Sequence, residues 1–256
     1  MRIAFLGTGT SHGIPVIGCP CAVCTSPDPR DKRNRTGVWL CDDRHSVVLD
    51  VSGDFRQGAL RHGLARLDAA LLTHAHSDHV SGLDDLRIFS QVTGKPTVLY
   101  GTADTFVDVR KRFDYAFAPP KAYGGGAPQY DVRVVDPAAG PFRIGDWTVT
   151  PLPVLHGPEL ILGYRIGDFA FITDVTVIPE ETLALMKGLK VLALDCLREA
   201  PHSTHLHFDG AVKYARRIGA ETTYFVHMGH ELGHVATEAR LPPEIRLAWD
   251  GLELEV

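Results

Sequence analysis

The chain has 256 residues, enough to bury one sizeable core, and a single domain over 1–256 is expected at that length. Apolar residues make up 45% and charged residues 22%, ordinary for a folded domain, which excludes disordered and collagen-like chains. A net charge of −5 offers no basic face for nucleic acid, yet it leaves an anionic small substrate open, because bound metal ions can reverse a local field.

The opening MRIAFLGTGT is a short apolar run closed by Gly7, a strand entering a glycine loop and too short for a signal-peptide core. No run reaches membrane-spanning length, so a cytoplasmic enzyme with no membrane partner is the expectation. GVWLCDDRHSVVLDV reads as a hairpin turning at Asp42 and Asp43, and helical spacing follows over Arg56–Arg66. DAALL and PTVLY are strands, the second leading into a helix from Asp104 to Phe113. Residues 113–130, FDYAFAPPKAYGGGAPQY, hold too many prolines and glycines for either element. They suggest a shaped loop whose Tyr115, Lys121 and Tyr123 contact a sugar or phosphate, with a plain surface cover as the rival reading. Strands resume with WTVTPLPVL, LGYRI and FAFIT, followed by a helix from Pro179, the strand VLALD, a helix over Asp209–Ile218 and the strand TTYFV. Two strand-rich halves with interspersed helices imply one α/β domain whose sheets are covered by helices.

THAHSDH, which follows DAALL, packs His74, His76, Asp78 and His79 into six residues. In extended backbone His74, His76 and Asp78 project to one side while His79 points elsewhere. Such a set can serve two neighbouring metal ions, the first pair of histidines on one and Asp78 with His79 on the other. The alternative is a polar surface loop.

THAHSDH is similar to the H-x-H-x-D-H signature of the metallo-β-lactamase superfamily, and the resemblance extends over nearly the whole chain. PLPVLHG supplies His156, FITDVTVIPE supplies Asp174 and YFVHMGHELGH supplies His227, in that family's order and each at a strand end. The resemblance implies a four-layer αββα sandwich. It also implies one metal site of His74, His76 and His156, another of Asp78, His79 and His227, and Asp174 as the bridge. Imidazole and carboxylate suit two divalent ions, zinc or manganese, with iron compatible. Such ions lower the pKa of a water and neutralise transition-state oxygens.

Cys19, Cys21 and Cys24 have C-x-C-x-x-C spacing within the loop 19–36, which in a reducing compartment favours a metal over disulfides. Here the chain resembles PhnP-type phosphodiesterases. The resemblance implies a structural zinc on Cys19, Cys21, Cys24 and His230, the last three residues after His227. The rival reading is three reduced thiols beside a helix-start histidine. Cys41 and Cys196 lie in apolar strands as core thiols. The resemblance gives catalytic roles to Asp78 and to His205, the latter as the acid serving the leaving oxygen, with His202 and His207 as rival candidates. The glycine loop from Gly7 to Gly13 lacks nucleotide-binding spacing, although His12 is placed to approach the metals.

These expectations converge on a dinuclear hydrolase of small phosphodiesters, with cyclic ribose phosphates favoured by resemblance. The alternatives are a tRNA 3′-processing ribonuclease, a lactonase or thioesterase of the same superfamily, and a metal-binding regulatory protein without turnover. The expected partner is a small anionic diester, nucleic acid is disfavoured, and a homodimer stays open.

Overall fold

Strand β1 (Arg2–Gly7) sends Ile3 and Phe5 into one buried cluster and Ala4 and Leu6 into another. Alternation with no polar side is what a strand covered on both faces requires. The computed structural model describes residues 1–118 and 126–256. After β1 come β2 (Gly37–Cys41), β3 (Ser46–Leu49), α1 (Phe55–His62), β4 (Ala69–Leu71), α2 (Ser77–Val80), α3 (Arg87–Thr93) and β5 (Thr97–Gly101). Then follow α4 (Ala103–Arg112), α5 (Asp114–Phe117), β6 (Tyr130–Val134), β7 (Phe142–Ile144), β8 (Trp147–His156), β9 (Glu159–Ile166) and β10 (Phe169–Ile172). The remaining elements are α6 (Glu180–Leu185), β11 (Val191–Asp195), α7 (Phe208–Ile218), β12 (Thr222–Val226), α8 (His234–Glu238), β13 (Ile245–Leu247) and β14 (Glu253–Glu255).

The strands form two seven-stranded mixed sheets, ordered β14-β1-β2-β3-β4-β5-β6 and β13-β12-β11-β10-β9-β8-β7. Between them lie Ile3, Phe5, Leu40, Tyr164, Phe169 and Phe171. Outside the first sheet, Leu6, Trp39 and Val48 pack with Phe55 of α1 and Phe106 of α4. Outside the second, Ile172, Leu192 and Leu194 pack with Ala211 and Ala215 of α7. The result is the four-layer αββα sandwich expected, one domain. Truncating a buried aromatic such as Phe171 to Ala would cost about 3–5 kcal/mol.

In each sheet four consecutive strands run parallel, β3 to β6 and β10 to β13. Their carboxyl ends open on one edge, the usual place for a site in such sheets. The Tyr164 hydroxyl of β9 donates to the Leu72 carbonyl at 2.8 Å, tying the second sheet to the loop after β4.

Some expected boundaries move. The first helix ends at His62, not Arg66, because Gly63 turns left-handed (φ 65°) and caps the carbonyls of Ala59 and Leu60. Segment 113–130 is not irregular throughout, since α5 occupies its start. Lys121 and Tyr123 lie outside the described residues. Among the described residues, no helix is long and apolar enough to cross a membrane.

Candidate metal centre

The histidine-rich loop begins where β4 ends, and its backbone does not stay extended. His76 is the last extended residue (φ −61°, ψ 150°) before α2, so Asp78 and His79 sit on a helical turn. This corrects the alternating pattern read from the sequence: the turn brings adjacent Asp78 and His79 together, with Asp78 Oδ2 3.3 Å from His79 Nε2.

His156 is the last residue of β8, Asp174 follows β10 by two residues, and His227 directly follows β12. Asp174 and His227 are left-handed, at φ 55° and 59°. Non-glycine residues pay roughly 1–3 kcal/mol for that conformation and hold it where the surroundings enforce it, commonly at active sites.

Two groups of potential donors result, one of His74, His76, His156 and Asp174, the other of Asp78, His79, Asp174 and His227. Within each, donor atoms lie within 4.8 Å of one another. Asp174 belongs to both and divides its oxygens between them. Its Oδ1 lies 3.2 Å from His79 Nε2 and 3.3 Å from His227 Nε2. Its Oδ2 lies 3.9 Å from both His74 Nε2 and His156 Nε2.

The far side of each ring fixes its orientation. His79 Nδ1 is 2.7 Å from Asp50 Oδ2, and His156 Nδ1 donates to the Thr204 carbonyl at 2.7 Å. Both contacts aim Nε2 at the centre, the arrangement that orients metal-binding imidazoles. Asp50 is itself held by the Thr73 amide and hydroxyl, at 2.9 Å each. The buried Nε2 atoms of His74 and His79 have no hydrogen-bond partner among the described residues. Buried orphaned nitrogens facing carboxylates suit divalent ions such as zinc, manganese or iron.

Charge follows the same division. Burial pushes the His74 and His156 pKa values down, keeping both neutral as ligation requires. Burial also disfavours the His79 cation, but Asp174 and Asp50 outweigh it and raise that pKa well above the usual value. Asp174 and Asp78 resist burial in the opposite sense, because neighbouring histidines hold both carboxyls well below their ordinary range. Paired carboxylates therefore stay ionised in this pocket.

His205 joins the centre, and its two expected rivals do not. Its Nε2 is 3.8 Å from Asp174 Oδ2, and its ring stacks on His227 with centroids 5.0 Å apart. His202 lies behind it, centroids 5.1 Å apart, with Nδ1 accepting from the Thr204 amide. His207 is the N-cap residue of α7, but its side chain makes no capping bond. The sequence reading missed Asp195 and Asp50. Asp195 forms a third potential donor group with His205 and His227. Each closes an apolar strand run, VLALD and VVLD, as Asp174 nearly does in FITD, and that is the signal that could have found them.

His12 is exposed and belongs to no donor group among the described residues. The exposed Tyr115 hydroxyl donates to Asp84 at 2.5 Å.

A separate cluster joins the cysteines. The sulfurs of Cys19, Cys21 and Cys24 lie 3.3, 3.4 and 3.6 Å from His230 Nδ1. The Cys24 amide helps pull the Cys21 thiol down to about 6, while burial pushes Cys24 up to about 11. The set could bind a structural metal. The rival placing of His230 at a helix start is not found, since α8 begins at His234. Fully buried Arg33 donates to the carbonyls of Gly229 (3.1 Å) and Leu232 (2.6 Å), fastening the cysteine loop to the segment that carries His227 and His230. Cys41 and Cys196 are buried free thiols, as expected.

The β-lactamase superfamily domain profile matches residues 45–228. The chain belongs to the metallo-β-lactamase superfamily. A crystal structure described as a new diphosphatase from the PhnP family is 39% identical, with a TM-score of 0.92 over 100% of this chain and 97% of that one. Zinc-bound PqqB from Methylobacterium extorquens shares the fold at 19% identity, with a TM-score of 0.77 and full coverage of both chains. Among curated proteins, an octanoyltransferase of Porphyromonas gingivalis is 39% identical over 99% of this chain but only 51% of its own length. The chain thus spans about half the length of that relative. Over its full length the chain thus resembles a PhnP-family diphosphatase, and it carries two buried donor groups that could hold metal ions.

Proposed function

We propose that the chain hydrolyses a small phosphodiester, with cyclic ribose phosphates as the first candidates. His74, His76 and His156 would hold one divalent ion, Asp78, His79 and His227 a second, and Asp174 both. The observation that carries this reading is Asp174 dividing its two oxygens between the donor groups. When bound, two such ions lower the pKa of a water and offset charge on phosphoryl oxygens.

The chain's own residues supply the rest. Asp50 and the Thr204 carbonyl keep the imidazoles of His79 and His156 aimed at the centre. His205 stands on the rim with Nε2 toward Asp174, placed to give a proton to an oxygen leaving phosphorus. Lactam and lactone opening has no general need of that group. The cysteine cluster would hold a structural zinc that steadies the loop bearing His227.

The full-length likeness to a diphosphatase favours a second reading, cleavage of P–O–P rather than P–O–C. Metal-loaded protein assayed on bis(p-nitrophenyl) phosphate, a ribose cyclic phosphate, a dinucleoside diphosphate, a precursor tRNA and a lactone and thioester panel separates the readings. Turnover of the diesters with little on the rest supports the first. Preference for the diphosphate supports the second, and turnover confined to lactones, thioesters or tRNA removes both. No turnover at all would leave a metal-binding regulatory protein.

A further inference from the structure

A cavity of about 420 Å³ opens beside His205, outside both donor groups. Its volume falls within the roughly 300–1,000 Å³ range of small-molecule sites. His205 shares the wall with Thr176, His202, Lys213, Tyr214 and Arg217. Among the described residues, no carboxylate lines it. Arg217 is partly neutralised from outside by exposed Glu180, whereas Lys213 has no ion pair among the described residues.

The hydrogen-bond pattern sharpens the charge argument. The Tyr214 hydroxyl accepts from the Ile178 amide at 3.2 Å, and the Thr176 hydroxyl accepts from the Gly157 amide at 2.7 Å. Each hydroxyl therefore has its proton free to donate. His202 accepts at Nδ1 from the Thr204 amide, which puts its ring hydrogen on Nε2. Lysine and arginine can only donate. A wall of this kind suits a ligand rich in acceptors and carrying negative charge.

We infer that this cavity is the leaving-arm subsite, and that the arm it takes carries an anionic group of its own, a phosphate or a carboxylate. The inference rests on the proposed hydrolysis of phosphorus esters, because it is His205 that joins the cavity to the scissile centre. Lys213 is its specificity-determining residue. Splitting a diester here leaves a hydroxyl on the anion-bearing arm, which departs as an alcohol from an acyclic diester and stays joined through the sugar in a cyclic one. Its proton comes from His205, and the water's oxygen stays on phosphorus. A dianionic phosphate matches two cations better than a carboxylate does.

Calorimetric titration of metal-loaded protein with 2-phosphoethanol and, separately, with glycolate tests the subsite without requiring turnover. Lys213→Ala should weaken 2-phosphoethanol by about 10–100-fold, the loss expected of one charge-assisted contact. Lys213→Arg should retain most of the affinity, and Arg217→Ala should cost less because Glu180 already engages that side chain. Tighter glycolate than 2-phosphoethanol binding, with the same Lys213 dependence, assigns the arm to carboxylates. Unchanged affinity for both probes in Lys213→Ala overturns the subsite. Hydrolysis of bis(p-nitrophenyl) phosphate by the wild-type protein is measured alongside. Lys213-dependent binding in a protein that cleaves no phosphorus ester would refute the proposed activity and keep the anion site, while turnover with Lys213-independent binding would do the reverse.

Discussion

His205 Nδ1 lies 3.5 Å from Asp195 Oδ2, while the other nitrogen of the same ring faces Asp174. Asp195 is fully buried, ends β11, and accepts from the Leu206 amide at 2.9 Å. Its second oxygen lies 3.6 Å from His227 Nδ1 and has no hydrogen-bond partner among the described residues. One carboxylate thus backs both the histidine proposed as acid and a proposed metal ligand. Asp195→Asn keeps the shape and removes the charge. It should lower kcat by about 10–100-fold, as loss of a carboxylate behind a site histidine does. Steady-state kinetics with metal analysis on the same samples reads this; wild-type kcat would make Asp195 a structural strand end only.

The cysteine cluster makes a separate forecast. Metal analysis of freshly purified protein should find more than two equivalents per chain, one resisting mild chelation, because closed thiolate sites bind zinc tightly. Cys21→Ser should lose that equivalent and lower the melting temperature. At most two ions, with neither content nor stability altered by the substitution, would dismiss a structural zinc.

Much of this was legible in the sequence because strand and ligand signals coincide. VLALD, TTYFV and FAFIT are apolar runs of strand length, and Asp174 and His227 stand just beyond two of them. Pieces as short as β7, β13, β14 and α2 carry too few residues for a period to emerge, so they went unread. The helical turn at Asp78 was hidden for the same reason. Asp195 and Asp50 escaped because a lone carboxylate at a strand end looks like any polar stop; only the fold puts them behind the histidines.

Asp174→Asn should all but abolish turnover while leaving the fold in place. Asparagine tolerates the left-handed backbone at φ 55°, so the substitution isolates the lost oxygen from backbone strain. With one oxygen serving each donor group, the amide leaves one group without its Asp174 oxygen. A fall in kcat of at least about 10²-fold, with at least one metal equivalent lost, is expected. Near-normal activity would mean that the two groups do not share this residue.

Asp250 predicts a stability that falls as pH rises. Burial raises its pKa to about 6, against 3.8 for an unperturbed aspartate, despite hydrogen bonds from Asn34 and Thr8. The folded state therefore holds this proton more tightly than the unfolded chain. The stabilisation is full below about 4 and is lost as pH climbs through about 6, roughly 3 kcal/mol in all. Asp250→Asn cannot titrate, so its stability relative to wild type should improve across that window in urea unfolding. A constant difference between the two proteins from pH 4 to 7 would refute the shift.

His205→Ala separates a proton donor from an electrostatic prop. An acid serving the leaving oxygen contributes about 10²–10⁴-fold, so kcat should fall by that factor and KM should change far less. The loss should be greatest for an alkoxide leaving group and small for p-nitrophenolate, which departs without a proton. It should also be small for a diphosphate, whose leaving phosphate is a weak base, so the same variant discriminates between the two proposed reactions. Metal content should stay at the wild-type level, because His205 is not among the residues proposed to hold either ion. Loss of an ion would move His205 into the ligand set, in line with its grouping with Asp195 and His227. An equal loss on alkoxide and p-nitrophenolate esters would assign His205 to the phosphoryl oxygens instead. Full activity would pass the proton to His202 or His207, neither of which approaches Asp174 as His205 does at 3.8 Å.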